Sequence, residues 1–155
     1  RKSLLSNSNP YTPAVNLVFA LDESLKMMKE EGLDNIFFRH NKHKLAVSNA
    51  VKALDLKLFA DERNLSPSIT AVKTEGIDAE EFRKTIKNNF DILLAGGQDH
   101  MKGKIFRVGH LGYVNDRDII TVVSAISNTL LNLGKITAQQ AGEALVVTSR
   151  YLEEI

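Results

Sequence analysis

The chain has 155 residues, 43% of them apolar and 25% charged, the composition of one soluble globular domain with enough chain to bury a sizeable core. Its formal charge of +1 comes from 20 basic and 19 acidic residues, interspersed rather than blocked, which leaves no electrostatic footprint for nucleic acid or an anionic membrane. There is no cysteine, so disulfides, thiolate metal sites and cysteine nucleophiles are excluded together. No window approaches the roughly 18 apolar residues that span a bilayer, and the start RKSLLSNSNPYTPAV is too polar for a secretory segment. The expected setting is cytoplasmic. The first residue is Arg1 and not methionine, which gives the expectation of a chain processed or excised from something longer.

Residues 1–11, rich in Ser and Asn and with Pro10 near the end, read as an extended N-terminal segment ahead of a domain over 12–155. Thr12 followed by Pro13 predicts a helix N-cap with proline at the first helical position. Ala14, Val15, Val18, Leu21, Leu25 and Met28 recur every three or four residues, which predicts a helix of about five turns with one buried face, ended by Gly32. Asp34 is placed to cap a second helix whose apolar face comprises Ile36, Phe37, His40, Leu45, Val47, Val51 and Leu54. Short strands are expected at 56–59 and 69–72. Asp78 is the expected cap of a third helix that carries Phe82, Ile86 and Phe90 and ends around Asn88 and Asn89.

A strand over 92–95 is expected to close on Gly96 and Gly97, and another over 105–108 lies between Gly103 on one side and Gly109 and Gly112 on the other. Asn115 or Asp116 opens a fourth helix through Ile119, Ile120, Val123, Ile126, Leu130 and Leu133, stopped by Gly134. Thr137 caps a fifth. Strands mixed with helices, without regular βαβ alternation, predict an α+β domain with a small mixed or antiparallel sheet of three to four strands and helices mainly on one face.

Few residue patterns carry chemistry. The histidines His40, His43, His100 and His110 include no helical metal pair at i, i+4, and His40 reads as a hydrogen-bonded interior or interface side chain. No serine sits in a G-x-S-x-G elbow. Gly96 and Gly97 lack the third glycine and following helix of a dinucleotide fingerprint, and read as a tight turn with φ above zero. Arg107 interrupts the apolar run Ile105, Phe106, Val108. Alternation alone can send it to solvent, but a planar guanidinium beside glycine-rich turns is also suited to bidentate recognition of a carboxylate.

The stretch GGQDHMKGKIFRVGHLGYV, Gly96 to Val114, resembles the C-terminal domain of class V aminotransferases of the alanine–glyoxylate and serine–glyoxylate type, a family that includes proteins labelled soluble hydrogenase small subunit. The family pattern of a Gly-Gly turn, a variable loop and K-x-x-R-I-G-x-x-G is matched by Gly96, Gly97, Lys104, Arg107, Gly109 and Gly112. The likeness extends upstream through YTPAVNLVFALDESLKMMKEEGLDNIFFRH and covers residues 10 to about 134.

The resemblance implies a small domain that closes over the active site of a fold type I enzyme. It also implies a large domain outside this chain that holds pyridoxal phosphate on a Schiff-base lysine, so no catalytic residue falls here. Arg107 matches the arginine that binds the substrate α-carboxylate. Thr12 looks like the threonine that reaches the cofactor phosphate of the neighbouring subunit in a homodimer. No metal is implied, and the cofactor is expected in the full-length parent and not on this chain alone. The parent would move an amino group from serine or alanine to glyoxylate or pyruvate, and this domain by itself would be inactive. Asn9 stands where alanine–glyoxylate enzymes carry a tyrosine, the loop Gln98 to Met101 departs from the usual composition, and residues after Gly134 extend beyond the match. Without a cysteine the desulfurase branch of class V is disfavoured.

Two other readings remain open at this stage: a free-standing regulatory or dimerisation module that binds a small anion through Arg107, and a soluble hydrogenase small subunit, by label. Apolar positions on the first helix and around Phe37 and Phe38, once uncovered, are expected to favour association.

Overall fold

The structure, a computed structural model, describes residues 5, 6, 9 and 11–153. Pro10 and most of the extended segment read over 1–11 lie outside the described residues. The chain forms two compact units, residues up to Phe37 and residues from Phe38 onward, whereas composition places its one break at residue 11.

In the first unit, helix α1 spans Val15–Glu31 and its N-cap is Ala14, with no side-chain hydrogen bond on the first turn. This corrects the expectation that Thr12 caps the helix and that Pro13 is its first residue. The Pro13 carbonyl is taken by a tight two-residue bond from the Val15 amide at 2.9 Å, so Ala14 is the first residue whose carbonyl accepts an α-helical bond from four residues on, from the Val18 amide at 3.1 Å. Gly32, at φ 83°, ends α1 by donating its amide to the Met28 carbonyl, a conformation that a side chain would strain.

The Gly32 carbonyl accepts from the Ile36 amide at 3.0 Å, so the next helix, α2 (Leu33–Ala53), starts at once and Asp34 falls inside its first turn. There Asp34 complements the helix dipole and does not act as the expected cap. The buried face expected for α1 is not formed, since no residue of α1 is buried.

The second unit has a sheet in the order β1-β2-β4-β3, with β1 at Lys57–Leu58, β2 at Ile69–Lys73, β3 at Ala95–Gly96 and β4 at Ile105–Gly109. All neighbours are antiparallel. Three further helices complete the unit: α3 (Ala79–Phe90), α4 (Asp116–Asn132) and α5 (Ala138–Glu153). The α+β class, the strand number and the antiparallel pairing are as expected.

Register explains the core. Thr70 pairs with Val108 and Val72 with Phe106, which puts these four buried side chains on one face. The helices pack there: Phe82 of α3 meets Phe106 at 5.2 Å between ring centroids, and Val47 and Val51 of α2, with Leu54 in the turn that follows it, join Ile119, Val123, Ile126 and Leu130 of α4 in the same cluster. Phe37, on the apolar face read for α2, is exposed, as are Ile120 of α4 and Leu133 just after it.

The caps follow their chemistry. Asp78 accepts from the Glu80 and Glu81 amides. Asn115 and Asp118 form a reciprocal capping box. Thr137 and Gln140 do the same for α5, with the Thr137 hydroxyl accepting from the Gln140 amide at 3.2 Å and the Gln140 side chain accepting from the Thr137 amide at 2.9 Å.

Two expectations around β3 need correction. The strand read over 92–95 is only Ala95–Gly96, because Asp91 turns the chain through a left-handed conformation at φ 54° and the Leu94 carbonyl accepts from the Arg83 side chain instead of a strand. Gly96 and Gly97 do not take positive φ. They are needed for close approach: a Cβ on Gly96 would press on Arg83 and Glu80, and one on Gly97 would overlap the Met101 carbonyl.

Candidate functional site

On β4 the side chains alternate, so Arg107 faces away from Phe106 and Val108 and stands on the sheet face opposite the helices. Its neighbours there are set by register: Ala71 of β2 on one side and Ala95 of β3 on the other. Both are small, and neither supplies a counter-charge. The side chain is half-buried and leans toward β3, where Nε donates to the Gly96 carbonyl at 2.9 Å. Among the described residues neither Nη nitrogen has a hydrogen-bond or ion-pair partner. A guanidinium anchored at Nε presents its two Nη groups as a preset fork, the geometry that matches a carboxylate.

The segment after Arg107 is held by residues that the sequence reading did not connect to it. Arg39 on α2 donates from Nη1 to the carbonyls of Gly112 and Val114, at 2.8 and 3.0 Å. One residue on, His40 Nε2 accepts from the Gly112 amide at 3.1 Å, as expected for a hydrogen-bonded interior histidine. A turn further along α2, Lys42 and His43 each donate to one oxygen of Asp116, both at 2.9 Å. The i, i+1, i+3, i+4 placement of Arg39, His40, Lys42 and His43 on a partly apolar helix is the sequence signal that could have revealed this clamp.

His110 is fully buried between Pro67 and Thr70. The Pro67 carbonyl can only accept, so Nδ1 carries the proton and donates at 2.9 Å, leaving Nε2 to accept from the Thr70 hydroxyl at 3.0 Å. Burial lowers its pKa to about 4, only partly opposed by the bond to Pro67. Burial likewise holds the His43 pKa below its usual value, against the attraction of Asp116. For Asp116 burial works the other way, but its bonds from Lys42 and His43 outweigh it and keep the carboxyl below the usual range. Among the described residues no group of histidine and carboxylate side chains could hold a metal ion.

Thr12 lies in the first unit, exposed, on a non-helical stretch before α1. Its hydroxyl caps nothing. A single hydroxyl fits a phosphate group as one contact among several, and no more than that. Among the described residues no helix is long and apolar enough to cross a membrane.

A four-stranded antiparallel sheet with helices on one face is the α+β fold of aminotransferase C-terminal domains. The crystal structure of ureidoglycine–glyoxylate aminotransferase from Bacillus subtilis shares it with a TM-score of 0.82 at 31% identity, over 90% of this chain and 37% of that one. The soluble hydrogenase 42 kDa subunit of Anabaena cylindrica is 53% identical over 134 residues, 86% of this chain and 35% of the relative. Serine–glyoxylate aminotransferase of Methylorubrum extorquens is 33% identical over 148 residues, 94% of this chain and 36% of the relative. No protein-family model matches the chain. The chain is thus homologous to the C-terminal part of class V aminotransferases of the serine– and alanine–glyoxylate type, and it spans little more than a third of the length of the relatives it matches.

Proposed function

We propose that residues 12–155 act as the C-terminal small domain of a pyridoxal-phosphate aminotransferase that moves an amino group from a small amino acid, serine or alanine, to a 2-oxo acid such as glyoxylate or pyruvate. The observation that carries this is the state of Arg107: half-buried, fixed at Nε on the Gly96 carbonyl and unpaired at both Nη groups. The fork binds the substrate α-carboxylate and orients it. Ala71 and Ala95 beside it leave room for a ligand. Closure of the domain removes water from the pair, which strengthens the contact.

The cofactor, when bound, supplies the electron sink for proton removal at the amino-acid α-carbon, and the lysine that holds it belongs to a large domain outside residues 12–155. Thr12 fits as one donor to the cofactor phosphate across a homodimer interface. On this reading the chain alone turns over no substrate and binds the cofactor weakly or not at all, and its setting is cytoplasmic.

The test is the Arg107→Ala variant in the longer aminotransferase that carries this domain. The expected result is a fall in kcat/KM for the amino acid of about two orders of magnitude, or about 3 kcal/mol, the scale for unpairing one side of a desolvated charged contact. Cofactor content and melting temperature are expected to stay the same. An unchanged kcat/KM would return Arg107 to an ordinary strand residue.

A further inference from the structure

The one bond that fixes Arg107 ends on a strand with little support of its own. β3 has two residues, lies at the sheet edge and pairs only with β4. Its bonds to β4 continue with the Gly97 amide on the Ile105 carbonyl at 3.2 Å. A further contact to this segment comes from α3: Arg83 donates Nε to the Leu94 carbonyl at 2.7 Å. Arg83 Nη1 in turn meets both carboxylate oxygens of Glu80 at 2.9 Å.

Gly96 lies against this guanidinium. A Cβ there would come within 2.5 Å of Arg83 Nη1 and 2.8 Å of Glu80 Oε1. Its φ is not in the left-handed region, so the contact, and not the backbone, demands glycine. Gly96 shares the helix face with Phe106, while Arg107 stands on the other face. Two guanidiniums therefore hold the short strand and the residue before it, Arg83 through the Leu94 carbonyl and Arg107 through the Gly96 carbonyl.

We propose that Arg83, held by Glu80, is a positioning residue for Arg107: it sets where β3 sits against α3, and so where the Gly96 carbonyl meets Arg107 Nε. The inference rests on the reading of Arg107 as the carboxylate ligand. A charge-assisted bond outweighs a neutral ladder bond of ordinary length, so in a two-residue edge strand the arginine and not the sheet fixes the backbone. Lysine at 83 keeps the charge but cannot serve Glu80 and the Leu94 carbonyl through a planar fork. Alanine at 96 leaves both arginines in place and wedges them apart through the strand.

The test is side-chain NMR of the 15N-labelled protein, with the Arg107 Nε–H resonance assigned by its loss in Arg107→Lys. In both Arg83→Lys and Gly96→Ala the hydrogen exchange of that Nε–H is expected to accelerate by about tenfold or more, the response of a bond that opens locally, while backbone amide dispersion stays native. Acetate, as the smallest carboxylate probe, is expected to shift the resonance in the parent protein and to shift it less in both variants. Unchanged exchange in the two variants would overturn the positioning role whatever acetate does. Faster exchange in both, with no acetate response in the parent protein, would uphold the positioning role and overturn the carboxylate reading of Arg107. If Arg83→Lys does not fold, Gly96→Ala decides the matter alone.

Discussion

Arg107 and His110 are three residues apart and show opposite uses of a basic side chain. Arg107 keeps its fork free on the open sheet face, whereas His110 spends both ring nitrogens inside the fold. The His110 pKa falls from the ordinary 6.5 to about 4 on folding, so between those values the unfolded chain binds more protons than the folded one. Stability is therefore expected to hold above that window and to fall as pH drops through it, by up to about 3 kcal/mol from this residue. The positive charge of Lys44 adds to the cost of protonating it. Urea unfolding between these pH values checks this. In His110→Gln, which has no group that titrates there, the acid slope is expected to flatten, and an identical slope in both proteins would remove His110 as its source.

At the scale of elements, the fold rests on caps and on one aromatic contact. Asn115 shields the first amides of α4 and, through Asp118, closes the box. Asn115→Ala is expected to cost about 1 kcal/mol, read as a lower urea midpoint with unchanged slope. Phe82 is buried on α3 against Phe106, where the strand that carries Arg107 meets the helix that carries Arg83. Truncation of Phe82 to Ala is expected to cost about 3–5 kcal/mol, since the cavity adds to the lost transfer free energy. A cost below 1 kcal/mol in equilibrium unfolding would mean that the site collapses around the smaller side chain.

For the whole molecule, the unit up to Phe37 sets the behaviour in solution. Leu17 and Phe19 are 71% and 70% exposed, and Val18, Leu21, Leu25, Met28 and Phe37 are exposed with them. Apolar surface of that extent, along α1 and at Phe37 on α2, favours association. The chain is expected to sediment as a dimer or larger species, and the pair of changes Leu17→Ser and Phe19→Ser is expected to shift it toward monomer. Monomeric sedimentation of the unaltered chain over a wide concentration range would contradict this.

What the sequence determined by itself is what depends on neighbours along the chain. Among the described residues, hydrophobic periodicity located the first four helices and the Thr137 cap the fifth, the side-chain oxygens of Asp78, Asn115 and Thr137 marked three helix starts, and the positive φ of Gly32, Gly103, Gly112 and Gly134 matched turns or stops read from glycine alone. Arg107 was legible too, as a charge inside an apolar strand. Tertiary structure decided the rest. Thr12 looked like a cap because Thr-Pro usually is one, but the bond that starts α1 falls on Ala14. Gly96 and Gly97 looked like a turn because glycine most often serves torsion, yet here they make room for Arg83 and for the Met101 carbonyl. Arg39, His40 and Arg83 act on backbone groups 11 to 75 residues away, and although spacing along α2 groups Arg39 with His40, it does not say which distant carbonyl or amide they meet. Only the packing of α2 and α3 against the sheet brings those side chains to the carbonyls and amides that hold the arginine strand in place.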